Sequence, residues 1–241
     1  MAVAFDAVGP AAALGQTAST PTTVTWAHIV TGSNTALVVF VGVGQDSGSD
    51  ATKTISGVTY NGVAMTQIGT PKHTNNSTSG YLACYGLINP TTGTNNVVVT
   101  FASAPSTAQC GSVSFTGANQ TTAFGTPVTA AGNTALATAA VASNTSGNII
   151  AFGVDGGNTI GATPTSPATK RWLANFGFSS AGGCSACATI PSTGSSVTCS
   201  WSLSTDFWAL IAVEVLAAGG AAAASAVPVS RVRRIQPLIV R

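Results

Sequence analysis

Short apolar runs alternate with turn-forming residues along most of the chain. The runs are rich in Val, Ile, Thr, Phe and Tyr, and Gly, Asn, Pro and Ser separate them. Because apolar positions at helical spacing are hard to find, the pattern predicts β-strands throughout. The runs 36–43 (ALVVFVGV) and 148–154 (NIIAFGV) are apolar at nearly every position, which indicates central strands that are covered on both faces.

The segment 58–65, VTYNGVAM, is the clearest predicted hairpin. Its central Asn-Gly pair supplies the two positive-φ positions that a type I′ turn requires. This turn would pair Tyr60 with Val63 and Val58 with Met65. Farther along the chain, the residues 195–202 and 206–217 are predicted as two separate strands.

The order of strands repeats in two halves of the chain. The repeat predicts a body of residues 1–217 with halves of roughly 23–118 and 134–218. Two four-strand halves that face each other make an eight-stranded double sheet, so the predicted fold is an all-β, jelly-roll-like β-sandwich. Two small sandwiches in tandem are the alternative. The matched segments are 28–46 with 139–157 (Val38 on Ile149), 88–101 with 189–201, and 111–118 with 211–218.

The chain is unusually poor in charge. Only 6% of residues are charged, against about a quarter in an ordinary soluble domain. The high apolar content argues against disorder. Up to residue 221 there are four basic and six acidic residues, so a basic groove for nucleic acid is not expected. A polar but uncharged surface protects poorly against association. It predicts a subunit of an assembly, most simply a symmetric homo-oligomer such as a trimer.

The last part of the chain has a different composition. Residues 218–227 are rich in Ala and Gly, as linkers are, whereas residues 228–241 alternate apolar residues with Arg. Pro237 opposes a long helix there, so an extended arm that binds a partner is predicted. A solvated terminus is the alternative. The predicted contact residues are Val229, Arg231, Val232, Arg233, Arg234, Ile235, Leu238, Ile239 and Arg241.

Residues that could carry acid–base chemistry are scarce, since the chain has only two histidines. His28 lies in a predicted strand and is interpreted as structural. His73 lies in the polar loop 71–80 (PKHTNNSTSG), where it would be solvated or contact a ligand. No catalytic motif is present. We therefore predict no enzymatic activity, no cofactor and no resident metal.

Two further clusters have alternative interpretations. The segment 44–50 (GQDSGSD) could hold Ca²⁺ through oxygen ligands, but it does not match a calcium loop and is favoured as an ordinary hairpin loop. Cys184 and Cys187 form a lone C-x-x-C. Since strand residues three apart point to opposite faces, these two cannot easily bridge. Cys187 and Cys199 lie on the two arms of a predicted hairpin and are the candidate disulfide, with buried free thiols as the alternative.

The tryptophans and the longest apolar runs indicate core packing. Trp201 and Trp208 fall in predicted strands, which favours the core over a sugar-stacking surface. The longest apolar stretches are of strand length, far short of the roughly 20 residues of a membrane helix, so no membrane partner is expected. The N-terminal segment lacks the basic region of a signal peptide, so export by the ordinary route is not expected.

Several segments resemble β-rich surface proteins of tailed-bacteriophage and prophage virions. They are 57–70 (GVTYNGVAMTQIGT), 88–101 (INPTTGTNNVVVTF), 111–127 (GSVSFTGANQTTAFGTP) and 207–216 (FWALIAVEVL). The resemblance implies a structural virion protein assembled in the host cytoplasm, of the head decoration or cement type, with the major capsid protein or other virion subunits as partners. The alternative is a carbohydrate- or receptor-binding module of a tail tip or fibre, whose loops would contact glycans. A bacterial extracellular β-sandwich domain is a third interpretation.

Overall fold

Antiparallel β-sheets make up nearly all of the structure. In a computed structural model, 68% of the residues that the structure describes lie in strands and 1% in helix. The prediction of an all-β protein is therefore confirmed. The structure describes residues 1–14, 22–44, 52–74, 80–105, 107–142, 144–156, 160–165, 167–177 and 182–219.

The strands follow the apolar runs of the sequence. The run 36–43 is one strand whose eight residues are all buried, as predicted for a central strand. The described strands, in chain order, are β1 (Ala4–Leu14), β2 (Thr23–Val30), β3 (Ala36–Val43), β4 (Ile55–Tyr60), β5 (Val63–Ala64), β6 (Thr66–Gln67), β7 (Lys72–His73), β8 (Tyr81–Ile88), β9 (Gly93–Phe101), β10 (Ala108–Thr116), β11 (Val128–Val141), β12 (Ile149–Gly156), β13 (Ile160–Pro164), β14 (Thr169–Gly177), β15 (Gly182–Pro191) and β16 (Val197–Val215).

Three sheets contain these strands. Sheet I has the order β1-β10-β3-β8-β6, and β7 also pairs with β8. Sheet II has the order β2-β9-β4-β5. Sheet III has the order β11-β16-β12-β15-β14, and β13 pairs with β16. The two halves share a pairing order. The order β10-β3-β8 in the first half corresponds to β16-β12-β15 in the second, and the pair β2-β9 corresponds to β11-β16, so that the long strand β16 takes part in both.

Apolar side chains form three clusters between these layers. The first-half cluster lies between sheets I and II, and the central cluster lies between sheets I and III. The second-half cluster lies inside sheet III, where the sheet folds back on itself. Representative members are Leu37, Val39 and Val97 in the first-half cluster, Phe40, Phe115 and Ile211 in the central cluster, and Phe152, Trp201 and Leu210 in the second-half cluster.

Strand β16 is nineteen residues long and contributes to two layers. Its first part, with Trp201, faces the second-half cluster, whereas its later part places Leu210 in that cluster and Ile211 in the central one. The two strands expected at 195–202 and 206–217 are therefore a single continuous strand.

Glycines allow the two halves to approach closely across the central cluster. A Cβ placed on Gly153 would lie 2.5 Å from Cδ1 of Phe40, and one on Gly111 would lie 2.4 Å from Cε2 of Trp172. Phe40 belongs to the first half and Gly153 to the second. In the other pair the glycine, Gly111, belongs to the first half and the ring, Trp172, to the second. Each half thus inserts an aromatic ring over a glycine of the other.

The predicted 58–65 hairpin is present. Asn61 and Gly62 have φ angles of 49° and 77°, as a type I′ turn requires. Tyr60 pairs with Val63. After this turn the chain passes from sheet II to sheet I at Met65, whose N–H donates to the carbonyl oxygen of Val58 at 2.8 Å. The crossing brings β6 and β7 beside β8 and positions the pocket described next.

Candidate functional site

A small pocket lies where sheets I and II meet beside β8. Its volume is about 220 Å³. Because β-strand side chains alternate between faces, Tyr81 and Tyr85 of β8 point to the same side. Each faces a polar partner across the strand pair, since Gln67 pairs with Tyr85 and His73 pairs with Tyr81. We call this site the tyrosine pocket; it is lined by Thr54, Ile55, Gln67, Pro71, His73, Tyr81 and Tyr85.

Hydrogen bonds fix the polar groups of the tyrosine pocket. The Tyr85 hydroxyl donates to Oε1 of Gln67 at 3.2 Å, and Nε2 of Gln67 donates to the carbonyl oxygen of Gly69 at 2.8 Å. The Tyr81 hydroxyl donates to the carbonyl oxygen of Lys53 at 2.7 Å. Both tyrosine rings are buried. The hydroxyls are therefore held in place before any ligand arrives.

The described lining of the tyrosine pocket contains no carboxylate, ammonium or guanidinium group. Burial, with a smaller contribution from Cys84, raises the pKa of Tyr85, so its hydroxyl stays protonated at neutral pH. The ring of His73 contacts that of Tyr81 edge to face, with centroids 5.7 Å apart. The site offers hydrogen bonds and aromatic surface rather than charge.

His28 lies within the body and is only 1% exposed. Nδ1 of His28 is 2.8 Å from the Ser112 hydroxyl, which accepts from Nε1 of Trp26 at 2.9 Å and donates to the carbonyl oxygen of Gly9 at 3.0 Å. The direction of the hydrogen bond between Ser112 and Nδ1 of His28 depends on the histidine tautomer. Burial lowers the pKa of His28 to about 4, although the Asp6 carboxylate opposes this shift.

The His28–Ser112 contact resembles a base beside a nucleophile, but its geometry is structural. Ser112 is fully buried, and its hydroxyl is also held by the carbonyl oxygen of Gly9 and by Nε1 of Trp26. Nε2 of His28 has no hydrogen-bond partner among the described residues. This agrees with the structural role predicted for His28.

All five cysteines are buried, and none of them forms a disulfide. Cys187 lies in the central cluster, whereas Cys199 lies in the second-half cluster. Strand β12 separates their strands in sheet III, so Cys187 pairs with Gly153 and Cys199 pairs with Ala139. The structure does not bring the candidate disulfide together, because β15 and β16 are not neighbours in one ladder.

Burial also makes these thiols unreactive. It raises the pKa of Cys187 above the usual range, and it raises that of Cys199 to about 12. Cys184 faces the second-half cluster while Cys187 faces the central one, as expected for strand residues three apart. The cysteines therefore act as small apolar core residues.

The four tryptophans are all buried, between 0% and 5% exposed. Nε1 of Trp201 donates to the carbonyl oxygen of Gly161 at 2.7 Å, and Nε1 of Trp208 donates to the Thr134 hydroxyl at 3.1 Å. The core role predicted for Trp201 and Trp208 agrees with this placement. No tryptophan is available on the surface for sugar stacking.

Several predicted sites fall outside the described residues. They are the arm 228–241, most of the linker 218–227, residues 45–50 of the acidic segment, and residues 75–79 of the loop that follows His73. Among the residues that the structure does describe, no group of three or more His, Cys, Asp or Glu side chains is arranged to hold a metal. The described part of the chain also contains no helix of the length and hydropathy needed to cross a membrane.

An uncharged strand edge is a second candidate site of interaction. Strand β11 is fourteen residues long and contains neither a charged residue nor proline. Among the described strands it pairs with β16 alone. Its Leu136 side chain is 42% exposed. Natural proteins usually protect such edges with charge, proline or a covering segment, so β11 is suited to contact another chain.

Comparison of the chain with protein-family models, with curated proteins and with solved structures gave no match.

Proposed function

We propose that the protein is a structural virion subunit, most simply a head decoration or cement protein. Its body would be built from two similar halves, and its arm 228–241 would anchor it to the major capsid protein or to other virion subunits. The shared pairing order of the two halves supports the repeat. Because each half has its own pair of layers, it also favours two sandwiches in tandem over one shared double sheet.

The uncharged edge of β11 is the observation that carries this proposal. A fourteen-residue edge without charge or proline would expose a freely soluble monomer to uncontrolled pairing. In an assembly the same edge is covered by a neighbour. Association into a homo-oligomer, with trimer as the working hypothesis, would bury it by symmetric contacts.

The distribution of charge gives the arm a separate role. The part of the chain up to residue 221 carries six acidic and four basic residues, whereas the arm adds four arginines. Apolar and arginine side chains on one extended segment can add a strand to a neighbour or fill its groove while pairing with acids. Attachment of the arm to one capsid subunit raises the effective concentration of the body at the next.

Deletion of residues 226–241 tests the anchor. We expect the shortened protein to keep the circular dichroism spectrum and melting temperature of the full chain, because no described strand is removed. We also expect it to be missing from purified particles on a denaturing gel. A matched variant that keeps the arm but replaces Arg231, Arg233 and Arg234 by Gln separates charge from apolar contact. Normal incorporation of the deleted form would rule out the anchoring role.

The tyrosine pocket favours a second candidate function, a carbohydrate- or receptor-binding module of a tail tip or fibre. The pocket includes His73. This residue starts the polar loop that would contact glycans under the alternative interpretation of the sequence. Copy number separates the two functions: hundreds of copies per particle indicate the head, and a few indicate the tail.

A further inference from the structure

We propose that the tyrosine pocket binds one neutral, hexopyranose-sized sugar residue. This inference deepens the second candidate function and is independent of the anchoring role of the arm. It rests on the size of the pocket, the chemistry of its lining, its lack of charge and the prior fixing of its polar groups.

The size of the pocket limits the ligand. Pockets for drug-sized molecules hold roughly 300–1,000 Å³, whereas this one holds about 220 Å³. A single six-membered sugar ring with its hydroxyl groups is a ligand of the smaller class. A longer glycan would place one residue in the pocket and extend from its mouth.

The lining has the two kinds of surface that a sugar ring presents. Ile55, Pro71 and the tyrosine rings give apolar contact for the C–H groups of a sugar. Gln67 and Tyr85 give the polar contact. An amide nitrogen has two N–H donors, and only one of those on Gln67 is used, for the carbonyl oxygen of Gly69. The Tyr85 hydroxyl donates to Gln67 and keeps its acceptor capacity.

Charge decides between neutral and ionic ligands. An anion or a cation that enters a pocket loses its hydration, and this loss is offset only by an opposite charge or by many strong hydrogen bonds. The described lining supplies no carboxylate, ammonium or guanidinium group, and the imidazole of His73 packs against the Tyr81 ring. Neutral hydroxyl groups need only ordinary hydrogen bonds, so a neutral sugar fits better than an acidic one.

Preorganisation favours binding by so small a site. Ordering a mobile side chain on binding costs free energy. Here the Tyr85 hydroxyl and the Gln67 amide already hold each other, at 3.2 Å. The Tyr81 hydroxyl is likewise fixed on the carbonyl oxygen of Lys53. A sugar therefore meets groups that are already in position.

The experiment titrates the full-length protein with the methyl glycosides of glucose, galactose and N-acetylglucosamine, and with glucuronic acid as the acidic counterpart. Saturation-transfer NMR and chemical-shift perturbation report binding. We expect at least one neutral glycoside to bind with a dissociation constant on the order of 1 mM, as is typical of a ligand of this size. We expect glucuronic acid to bind more weakly.

Two variants and a matched control locate the binding. Tyr85→Phe and Gln67→Ala each remove one hydrogen-bonding group, so each should weaken binding by about 3- to 10-fold. Tyr60→Phe is the control, because the Tyr60 hydroxyl is bonded to the carbonyl oxygen of Gly93, away from the pocket. It should leave the affinity unchanged, and thermal melts should show that all three variants fold.

Three results would overturn the inference. The first is no binding of any neutral glycoside at a concentration about 100-fold above the expected dissociation constant of about 1 mM. The others are preference for the acidic sugar and equal affinity of the wild type and both pocket variants. Because none of these measurements uses particles, their failure would leave the anchoring role of the arm untouched. Conversely, normal particle incorporation of the arm deletion would not affect them.

Discussion

The close contact between Gly153 and Phe40 makes a quantitative prediction about how the two halves are held together. In Gly153→Ala the new Cβ would lie 2.5, 2.7 and 3.1 Å from three ring atoms of Phe40. The Phe40 ring is fully buried, so it cannot turn away without displacing its neighbours. Such overpacking costs about 1–3 kcal/mol, and three short contacts place this site at the upper end.

The gain from removing a strand glycine partly offsets that cost. Replacing Gly by Ala in a strand stabilises by roughly 0.5–1 kcal/mol, so the net loss for Gly153→Ala is about 2 kcal/mol. In a protein of this size it corresponds to a fall in melting temperature of about 4–8 °C. The natural control is Gly57→Ala in β4, because nothing lies within 4 Å of its added Cβ; it should be neutral or slightly stabilising.

A double-mutant cycle tests the assigned cause. Phe40→Leu alone should cost roughly 1 kcal/mol. Combined with Gly153→Ala, it should relieve the contact, so the double variant would be at least about 1 kcal/mol more stable than the sum of the single effects. Chemical denaturation followed by fluorescence gives the free energies of unfolding. If Gly153→Ala and Gly57→Ala have equal stability, or Phe40→Leu gives no relief, the reasoning is refuted.

Two further predictions concern His28 and the independence of the halves. Burial lowers the pKa of His28 from 6.5 to about 4 in the folded state, so the unfolded chain binds the proton more readily. The free energy of unfolding therefore falls as the pH is lowered from 6.5 towards 4, by up to about 3 kcal/mol. His28→Asn, which retains a hydrogen-bonding group for Ser112, should flatten this dependence in denaturation curves measured between pH 4 and 7; an unchanged slope would contradict the shift. A fragment of residues 1–119 would expose its side of the central cluster, including Phe40 and Phe115, so it should aggregate or bind a hydrophobic dye, and a soluble folded monomer would show that the halves are independent.

The sequence predicted the strands well because burial is written into local patterns. The run 36–43 is apolar at almost every position, and the structure covers it on both faces. The Asn61-Gly62 turn was equally clear, since few other residue pairs satisfy two positive φ angles. These signals are local and need no knowledge of the rest of the chain.

Register between distant segments was harder to predict. The sequence repeat matches Val38 with Ile149, and since no described ladder joins β3 to β12, this register stays a prediction. A shift of two residues keeps every side chain on the same face. Hydrophobic pattern alone therefore cannot detect it.

The missed features depend on contacts between separate elements. The Cys187–Cys199 pairing assumed a simple hairpin, whereas β12 lies between the strands that carry the two thiols. The tyrosine pocket depends on the chain crossing between sheets at Met65, which brings Gln67 beside Tyr85. The four-residue spacing of Tyr81 and Tyr85 could have shown that they share a face, but nothing in the sequence indicated their partners.

The path of β16 has a mechanical consequence. The strand ends at Val215, ahead of the linker 218–227 and the proposed arm 228–241. It pairs with β11 between residues 197 and 212 and with β12 between residues 208 and 215, so residues 208–212 are bonded on both sides. A pull along the axis of β16 would load these ladders in shear, so that many bonds would have to yield together rather than one after another. If the proposed arm anchors the protein, a pull in this direction would meet more resistance than one that opens the ladders from one end.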